Sequence, residues 1–298
     1  MMADMTLDVT ADAQEAAARA ARAAGVTVRE LSALTELDAA TALFDEIWGP
    51  GAGGSSMPRD LLRALTKAGN YASGAFDAGS GELIGACVGF FGPPAGAELH
   101  SHVAGVRAAG RGRSVGFALK VDQRAWCLRR GVRVIAWTYD PLIRRNAYFN
   151  LVKLGARPAE YLPDFYGPMD DAINGGTETD RMLVHWDLLS SVAAAASAGH
   201  GRPASFAAER ERGALVALSP GPGGWPGEPA AGGGSGPRTL LVGVPADIES
   251  LRTSDPAAAA AWRTALRAVL MPLVSNGARV TGFDRDGWYV VTAEGEVR

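Results

Sequence analysis

Leu99-His-Ser-His-Val-Ala-Gly-Val106, followed at once by Arg107-Ala-Ala-Gly-Arg-Gly-Arg-Ser-Val-Gly116, is the stretch whose reading decides the fold. Its first half reads as a strand. Its second half is a basic, glycine-containing turn that opens a helix over residues 114–130. Apolar positions 115, 118, 119, 126 and 127 form one buried stripe on that helix, and Gly131 ends it. A helix N-terminus presents unpaired N–H groups and a partial positive charge, so the turn suits a phosphate. Its glycines allow close approach of a ligand, and its arginines add charge-assisted hydrogen bonds. The same turn also reads as a plain loop with solvated arginines. The chain is arginine-rich throughout, with Lys only at positions 67, 120 and 153.

Upstream, residues 26–31 alternate like a strand, and apolar positions 37, 40, 43, 44, 47 and 48 make a helical stripe. A short helix over 61–68 leads to strands at 71–76, 83–91 and 99–106. The turns between them, Asp77-Ala-Gly-Ser-Gly81 and Gly92-Pro-Pro-Ala-Gly96, are hairpin loops. Downstream come a strand at 133–139, Asp140-Pro141 as an N-cap and first-turn proline, a helix over 142–154, a loop-rich stretch and a strand at 182–188. Residues 11–24 read as a surface helix too polar to anchor a core. The chain of 298 residues holds 38 Gly and 17 Pro, and the densest run of both lies at 219–238, which reads as an exposed linker or a very long loop. Beyond it the pattern gives strands at 239–244, 278–283 and 288–292 and a helix over 255–276. That tail is small for an independent core and is expected to dock on the main domain.

A net charge of −3 supplies no basic field for nucleic acid. Cys87 and Cys127 are the only cysteines; they lie in apolar surroundings and read as buried thiols. No uninterrupted apolar run has the length of a membrane span, and the first 25 residues lack the apolar centre of a signal peptide. The expectation is a cytoplasmic protein with no membrane partner.

Two ligand classes compete for the basic turn. Gly110, Gly112 and Gly116, with Asp140 after the next strand, can be set against a dinucleotide-binding loop. Such loops open repeated strand–helix arrays, whereas this one follows three hairpin-connected strands. The whole order of elements instead resembles the GNAT superfamily of acyl-CoA-dependent N-acyltransferases. The family's Arg/Gln-x-x-Gly-x-Gly/Ala signature falls on Arg111-Gly112-Arg113-Ser114-Val115-Gly116, with Ser114 at the central glycine. The stretch from Arg145-Asn146-Ala147 to Lys153-Leu154-Gly155-Ala156 looks loosely like its Asn…Ala…Lys-x-Gly-Phe segment, with Ala156 for Phe. Tyr139-Asp140-Pro141, Phe149-Asn150, Met169-Asp170-Asp171 and Ala261-Trp262-Arg263 are similar to a bacterial GNAT subgroup with a C-terminal extension.

The resemblance implies an α/β (α+β) fold: a GNAT-like mixed, mostly antiparallel sheet flanked by helices, plus a small C-terminal α/β extension. The chain then divides into an N-terminal helical tail (1–24), the acyltransferase domain (25–190), a linker (191–238) and the extension (239–298). Transfer of an acetyl or other short acyl group from coenzyme A to an amine, a small molecule or a peptide, is the implied activity. Acetyl-CoA is the co-substrate and no metal is required. Ala104, Gly105 and Val106 would offer backbone groups to the pantetheine arm where the fourth and fifth strands separate. Arg111, Gly112, Arg113, Ser114 and Gly116 would hold the pyrophosphate, and Asn146, Asn150 and Lys153 would face the cofactor. His100 lies about where some members carry the general base, with Glu98 and His102 on the same side of the strand. Tyr139 and Tyr166 are candidate acids or pocket walls. The tyrosine that many members use to protonate the thiolate falls at Leu151, read as a core stripe with Ala147 and Leu154. His100-x-His102 lacks a third metal ligand. A homodimer is compatible with this reading. The rival is an acyl-CoA-binding or interaction protein that keeps the fold without catalysis.

Overall fold

In a computed structural model of the chain, the described residues are 2–49, 55, 57–92, 98–167, 178–229 and 238–293. The chain divides into two compact units, Met1–Trp137 with Trp186–His200, and Thr138–His185 with Gly201–Arg298. A seven-stranded sheet runs in the order β1-β2-β3-β4-β5-β7-β6 and a four-stranded sheet in the order β10-β11-β9-β8. The fold is therefore mixed α/β, with a mostly antiparallel main sheet and a second, small sheet towards the C-terminus.

In the first unit, β1 (Val26–Glu30), β2 (Tyr71–Asp77), β3 (Leu83–Phe91) and β4 (Glu98–Val106) form an antiparallel series, and β4 pairs in parallel with β5 (Val134–Tyr139). One face is covered by α2 (Leu34–Trp48) and α3 (Arg59–Lys67). Leu37, Leu43, Phe44 and Leu62 there pack with Ala86 and Val88 of β3. On α4 (Val115–Leu128) eleven of fourteen residues are buried, far more than one stripe. The cause is α1 (Met2–Ala24), which packs on α4. Ala13, Ala16, Ala17 and Ala24 are buried, at spacings that put three of them on one helical face. From Ala13 on, α1 is thus a packed layer of this unit, where a helix too polar to anchor a core was expected. Alanine leaves little side chain between two helices, so its small size and not its modest hydropathy carries the packing.

The second unit holds β6 (Arg157–Leu162) and most of β7 (Arg181–Asp187), together with β8 (Leu215–Leu218), β9 (Arg238–Gly243), β10 (Arg279–Asp284) and β11 (Trp288–Ala293). The expected linker at 191–238 is a correction. Its described residues carry α6 (Ser191–Ser197), α7 (Phe206–Glu211) and β8, which pairs with β9. Ser190 and Ser205 cap those helices through their side-chain oxygens. Residues 230–237 of the Gly/Pro run lie outside the described residues, as do 93–97 of the expected hairpin turn. β6 falls in the stretch expected as loop; it is an edge strand, where Pro158 costs no ladder bond.

Two further helices, α8 (Ile248–Ser254) and α9 (Pro256–Ser275), lie in the same unit. α9 has the length and composition of a membrane span. Trp262, Leu266 and Leu270 are nonetheless buried within the fold, so that composition serves a core helix. Asp140, 3% exposed, accepts two hydrogen bonds from Arg263 at 2.8 and 2.7 Å, one from Arg252 at 2.5 Å and one from the Leu142 N–H at 2.9 Å. Burial raises the pKa of Asp140, but the Arg263 bonds and charge, with Arg252, outweigh it and hold the carboxyl below its ordinary value. Arg267 of α9 binds Asp180, which also accepts from the Tyr161 hydroxyl at 2.6 Å.

Candidate active site

Strand β4 changes character half-way along. It pairs Val103 with Val88 and Ser101 with Gly89, so His102 is an extra residue, a β-bulge. A bulge interrupts the ladder and re-aims the strand. On its other side β4 pairs with β5 only over Glu98–Val134, Leu99–Ile135 and His100–Ala136. From Ser101 onward β4 runs on unpaired from β5, and the two strands separate. At Gly105 a side chain would stand 2.6 Å from Ile47 and 2.9 Å from Trp48, so α2 lies directly against the separated part of the strand.

The Phe90 ring sits beside both histidines, 5.1 Å from His100 and 5.6 Å from His102 between ring centroids. Burial lowers the His100 pKa below 6.5, and the nearby charges of His102 and Lys120 lower it further. Burial acts in the same sense on His102. Both rings are therefore neutral at pH 7 and able to accept a proton. Among the described residues no group of three His, Cys, Asp or Glu side chains gathers as a metal site. Glu98 lies half-buried at the start of β4.

The basic turn leads directly off this strand. Gly112 has φ 78° and Ser114, the residue before α4, has φ 63° and ψ 22°. Left-handed backbone is uncommon for a residue with a side chain. In this conformation the Ser114 hydroxyl does not cap the helix. The first intrahelical bond runs from Ala118 N–H to Ser114 C=O, so the N–H groups of Val115, Gly116 and Phe117 have no acceptor within the helix. Alternating left- and right-handed backbone of this kind forms an anion-binding concavity.

The two arginines of the turn part company. Arg113 donates to the Ala24 and Gly25 carbonyls at 3.2 and 3.0 Å and pairs with Asp77 at 2.8 Å. Asp77 falls to about pH 2, held down first by the Ser80 N–H and then by Arg113. Arg113 is thus a clamp between the end of α1 and the β2–β3 turn, a correction to its expected place on a pyrophosphate. Arg111 is exposed and makes no ion pair among the described residues. Ala104 is exposed, and Val106 and Gly116 are half-buried.

The remaining expected site residues fall in the second unit. Tyr139 is buried, and its hydroxyl lies 3.2 Å from that of Tyr289, which donates to the Pro141 carbonyl at 2.8 Å. Burial pushes the Tyr139 hydroxyl well above its ordinary pKa. This is a structural tyrosine and not the acid expected. Asn146 on α5 (Arg144–Tyr148) is half-buried. Asn150 is only 4% exposed, in a π-helical turn at Phe149–Lys153, and not on the open polar face expected. The same wide turn breaks the expected core stripe: Ala147 and Leu154 are buried but Leu151 is only half so. Tyr166 places its hydroxyl 3.2 Å from that of Thr138. Met169-Asp170-Asp171 and residues 50–54 and 168–177 of the loops expected to shape the acceptor site lie outside the described residues.

The sequence reading missed one group. Lys120, on α4, is buried, and its amine bonds Ser101 of β4 and Gln123 of its own helix. A lone lysine in an amphipathic helix reads as surface, whereas this one is turned onto the main sheet at Ser101 and Trp137.

No protein-family model matches the sequence, and a comparison with curated proteins returns no match. Among solved structures, the chain is similar to the ribosomal-protein-S18-alanine N-acetyltransferase from Escherichia coli, at 12% identity and TM-score 0.44, over 55% of this chain and 94% of that one. It is similar to the aminoglycoside 6'-N-acetyltransferase from Enterococcus faecium at 16% identity and TM-score 0.42, over 54% and 97% of the two chains. A GNAT family acetyltransferase from Elizabethkingia anophelis with acetyl-CoA bound matches at 16% identity and TM-score 0.41, over 55% and 98%. At these scores the likeness carries no argument about activity, which has to come from the geometry of this chain.

Proposed function

We propose that the first unit binds an acyl-coenzyme A and passes its acyl group, acetyl or another short chain, to an amine by direct attack. The observation that carries this reading is the β4–β5 ladder ending at His100 and Ala136, while β4 runs on towards the uncapped start of α4. A thin pantetheine arm suits the run of β4 past His100, where the strand makes no ladder pairs with β5. The N–H groups of Val115, Gly116 and Phe117, with Arg111, suit the pyrophosphate. Neutral His100, beside the point of separation, suits removal of the amine proton, and backbone N–H groups of the bulged strand suit the thioester oxygen.

The test is to mix the full chain with acetyl-CoA and follow free thiol release across a panel of amines, small molecules and peptides. Turnover on at least one amine, lost in His100→Ala, is the expected result. Tight coenzyme A binding without turnover on any amine would mark a binding protein instead.

A further inference from the structure

Lys120 ends where β4 and β5 part. The last paired residues are His100 and Ala136, so Ser101 and Trp137 are the first residues of the two diverging strands. The Lys120 amine donates to Ser101 Oγ at 2.8 Å and to Gln123 Oε1 at 3.0 Å, and it lies 3.7 Å from the centroid of the Trp137 ring. Lys120 is 4% exposed.

The thiols and the imidazole facing it are neutral at pH 7. Burial raises the thiol pKa of Cys87 on β3 and takes that of Cys127 on α4 up to about 12, and His100 on β4 is held below 6.5. Asp122, on the same helix, accepts the Tyr71 hydroxyl at 2.9 Å, and burial raises its pKa. A buried cation without a counter-ion is costly. Next to it the Gln123 amide nitrogen, on a fully buried side chain, has no hydrogen-bond partner. The Gln123 oxygen is engaged by Lys120, which fixes the NH2 as the orphan. A buried cation and an orphan donor side by side, next to the first residues past the β4–β5 ladder, both call for an acceptor that carries negative charge.

Resting on the acyl-transfer reading above, we propose that Lys120 supplies the proton to the departing coenzyme A sulfur, through the Ser101 hydroxyl. The amine nitrogen bonds to the thioester carbonyl carbon and gives up a proton to His100. The carbon–sulfur bond breaks with its electron pair on sulfur. Ser101 passes its hydroxyl proton to sulfur and takes one from the Lys120 ammonium. The products are the amide, the coenzyme A thiol, a neutral Lys120 and a protonated His100, and solvent resets both. Burial lowers the Lys120 pKa to about 8. That value lies close to the ~8.5 of an alkyl thiol, the match an efficient proton donor needs. The role fills the place left by Leu151, a side chain with no acidic proton.

The experiment uses the full chain with reduced coenzyme A as probe. The thiol of the bound probe is titrated by its thiolate absorbance against the probe-free protein, a difference that cancels Cys87 and Cys127. The expected midpoint lies about one unit below that of free coenzyme A, a tenfold shift in ionisation. It returns to the free value in Lys120→Met and stays low in Lys120→Arg. Lys120→Met, which swaps a buried charge for an apolar chain of similar length, keeps or gains thermal stability if the lysine is there for function. In turnover, Lys120→Met loses about 10²-fold or more on acetyl-CoA but little on an acetyl thioester whose leaving thiol is much more acidic. Ser101→Ala repeats that pattern. Bound coenzyme A with the same thiol midpoint in wild type and Lys120→Met overturns this proposal and leaves the acyl-transfer reading standing. Failure of the wild-type chain to bind coenzyme A overturns both.

Discussion

His100 and His102 stand two positions apart on one strand, yet the bulge gives them different surroundings. His100 is paired on both sides, while His102 is the residue left over between two ladder registers. The base proposed above is therefore the one histidine of the two with ladder pairs on both sides. Because burial, then the charges of His102 and Lys120, lower its pKa, the acid limb of kcat/KM is expected below pH 6.5. His100→Ala should cost about 10²–10⁴-fold in turnover. His102→Ala should keep turnover and move the acid limb up towards 6.5, read from pH–rate profiles. The turn arginines give a second contrast. Arg111→Ala should weaken coenzyme A binding with no change in Tm, and Arg113→Ala should lower Tm while affinity holds. Calorimetry and thermal melts on the same two variants decide it, and the reverse pattern would put the wrong arginine on the phosphate. The signature motif could not separate them, because it shows which residues are near the ligand and not which of them fold back onto Gly25 and Asp77.

At the scale of single elements, the start of α4 carries the cost of its own exposure. Ser114 in left-handed backbone is strained by roughly 1–2 kcal/mol relative to glycine. Ser114→Gly should therefore stabilise the chain, by up to about 1 kcal/mol after the extra freedom of an unfolded glycine is allowed for. Coenzyme A affinity should be equal or higher. Denaturant melts and calorimetry test this; a loss of affinity would mean that the hydroxyl itself touches the ligand. The hairpin strands β2, β3 and β4 were legible because short apolar runs bounded by Gly-containing turns are local signals. Two features were not. The separation of β4 from β5 depends on register between strands far apart in sequence, and the π-helical turn at Phe149–Lys153 shifts a side-chain phase that otherwise reads as a continuous helix. β8 was hidden by the glycine and proline around it.

Across the whole molecule, the residues read as an extension complete the second unit. Asp140 follows β5, but Arg252 and Arg263, which neutralise it, come more than a hundred positions later. Asp140→Ala strips the counter-charge from buried arginines and should cost about 3–5 kcal/mol. The carboxyl has a lower pKa folded than unfolded, so its contribution is present above about pH 4 and is lost as pH falls through the folded value. Stability of the wild type against pH, compared with Asp140→Asn, measures that slope; parallel curves would remove Asp140 from the account. A chain cut after residue 200 loses Arg252, Arg263 and α9 together and should lose the part of the melt that belongs to the second unit. Composition gave no hint of this, since a Gly/Pro-rich run reads as a boundary even where the strand beside it pairs.

The first unit is built from two separate pieces, Met1–Trp137 and Trp186–His200. The second piece is tied in by Arg124, which donates to the Leu188 carbonyl at 2.7 and 3.1 Å, and by the Leu188 N–H on the Arg133 carbonyl at 2.9 Å. On the ribosome, residues 138–185 must be made before that closing piece appears. At ordinary elongation rates this is a wait of roughly 2–10 s. Through that interval the first piece has emerged without the segment that completes its unit. A nascent-chain binding partner, or a pause placed in the message over these codons, would act there on the newborn chain and nowhere later in its life.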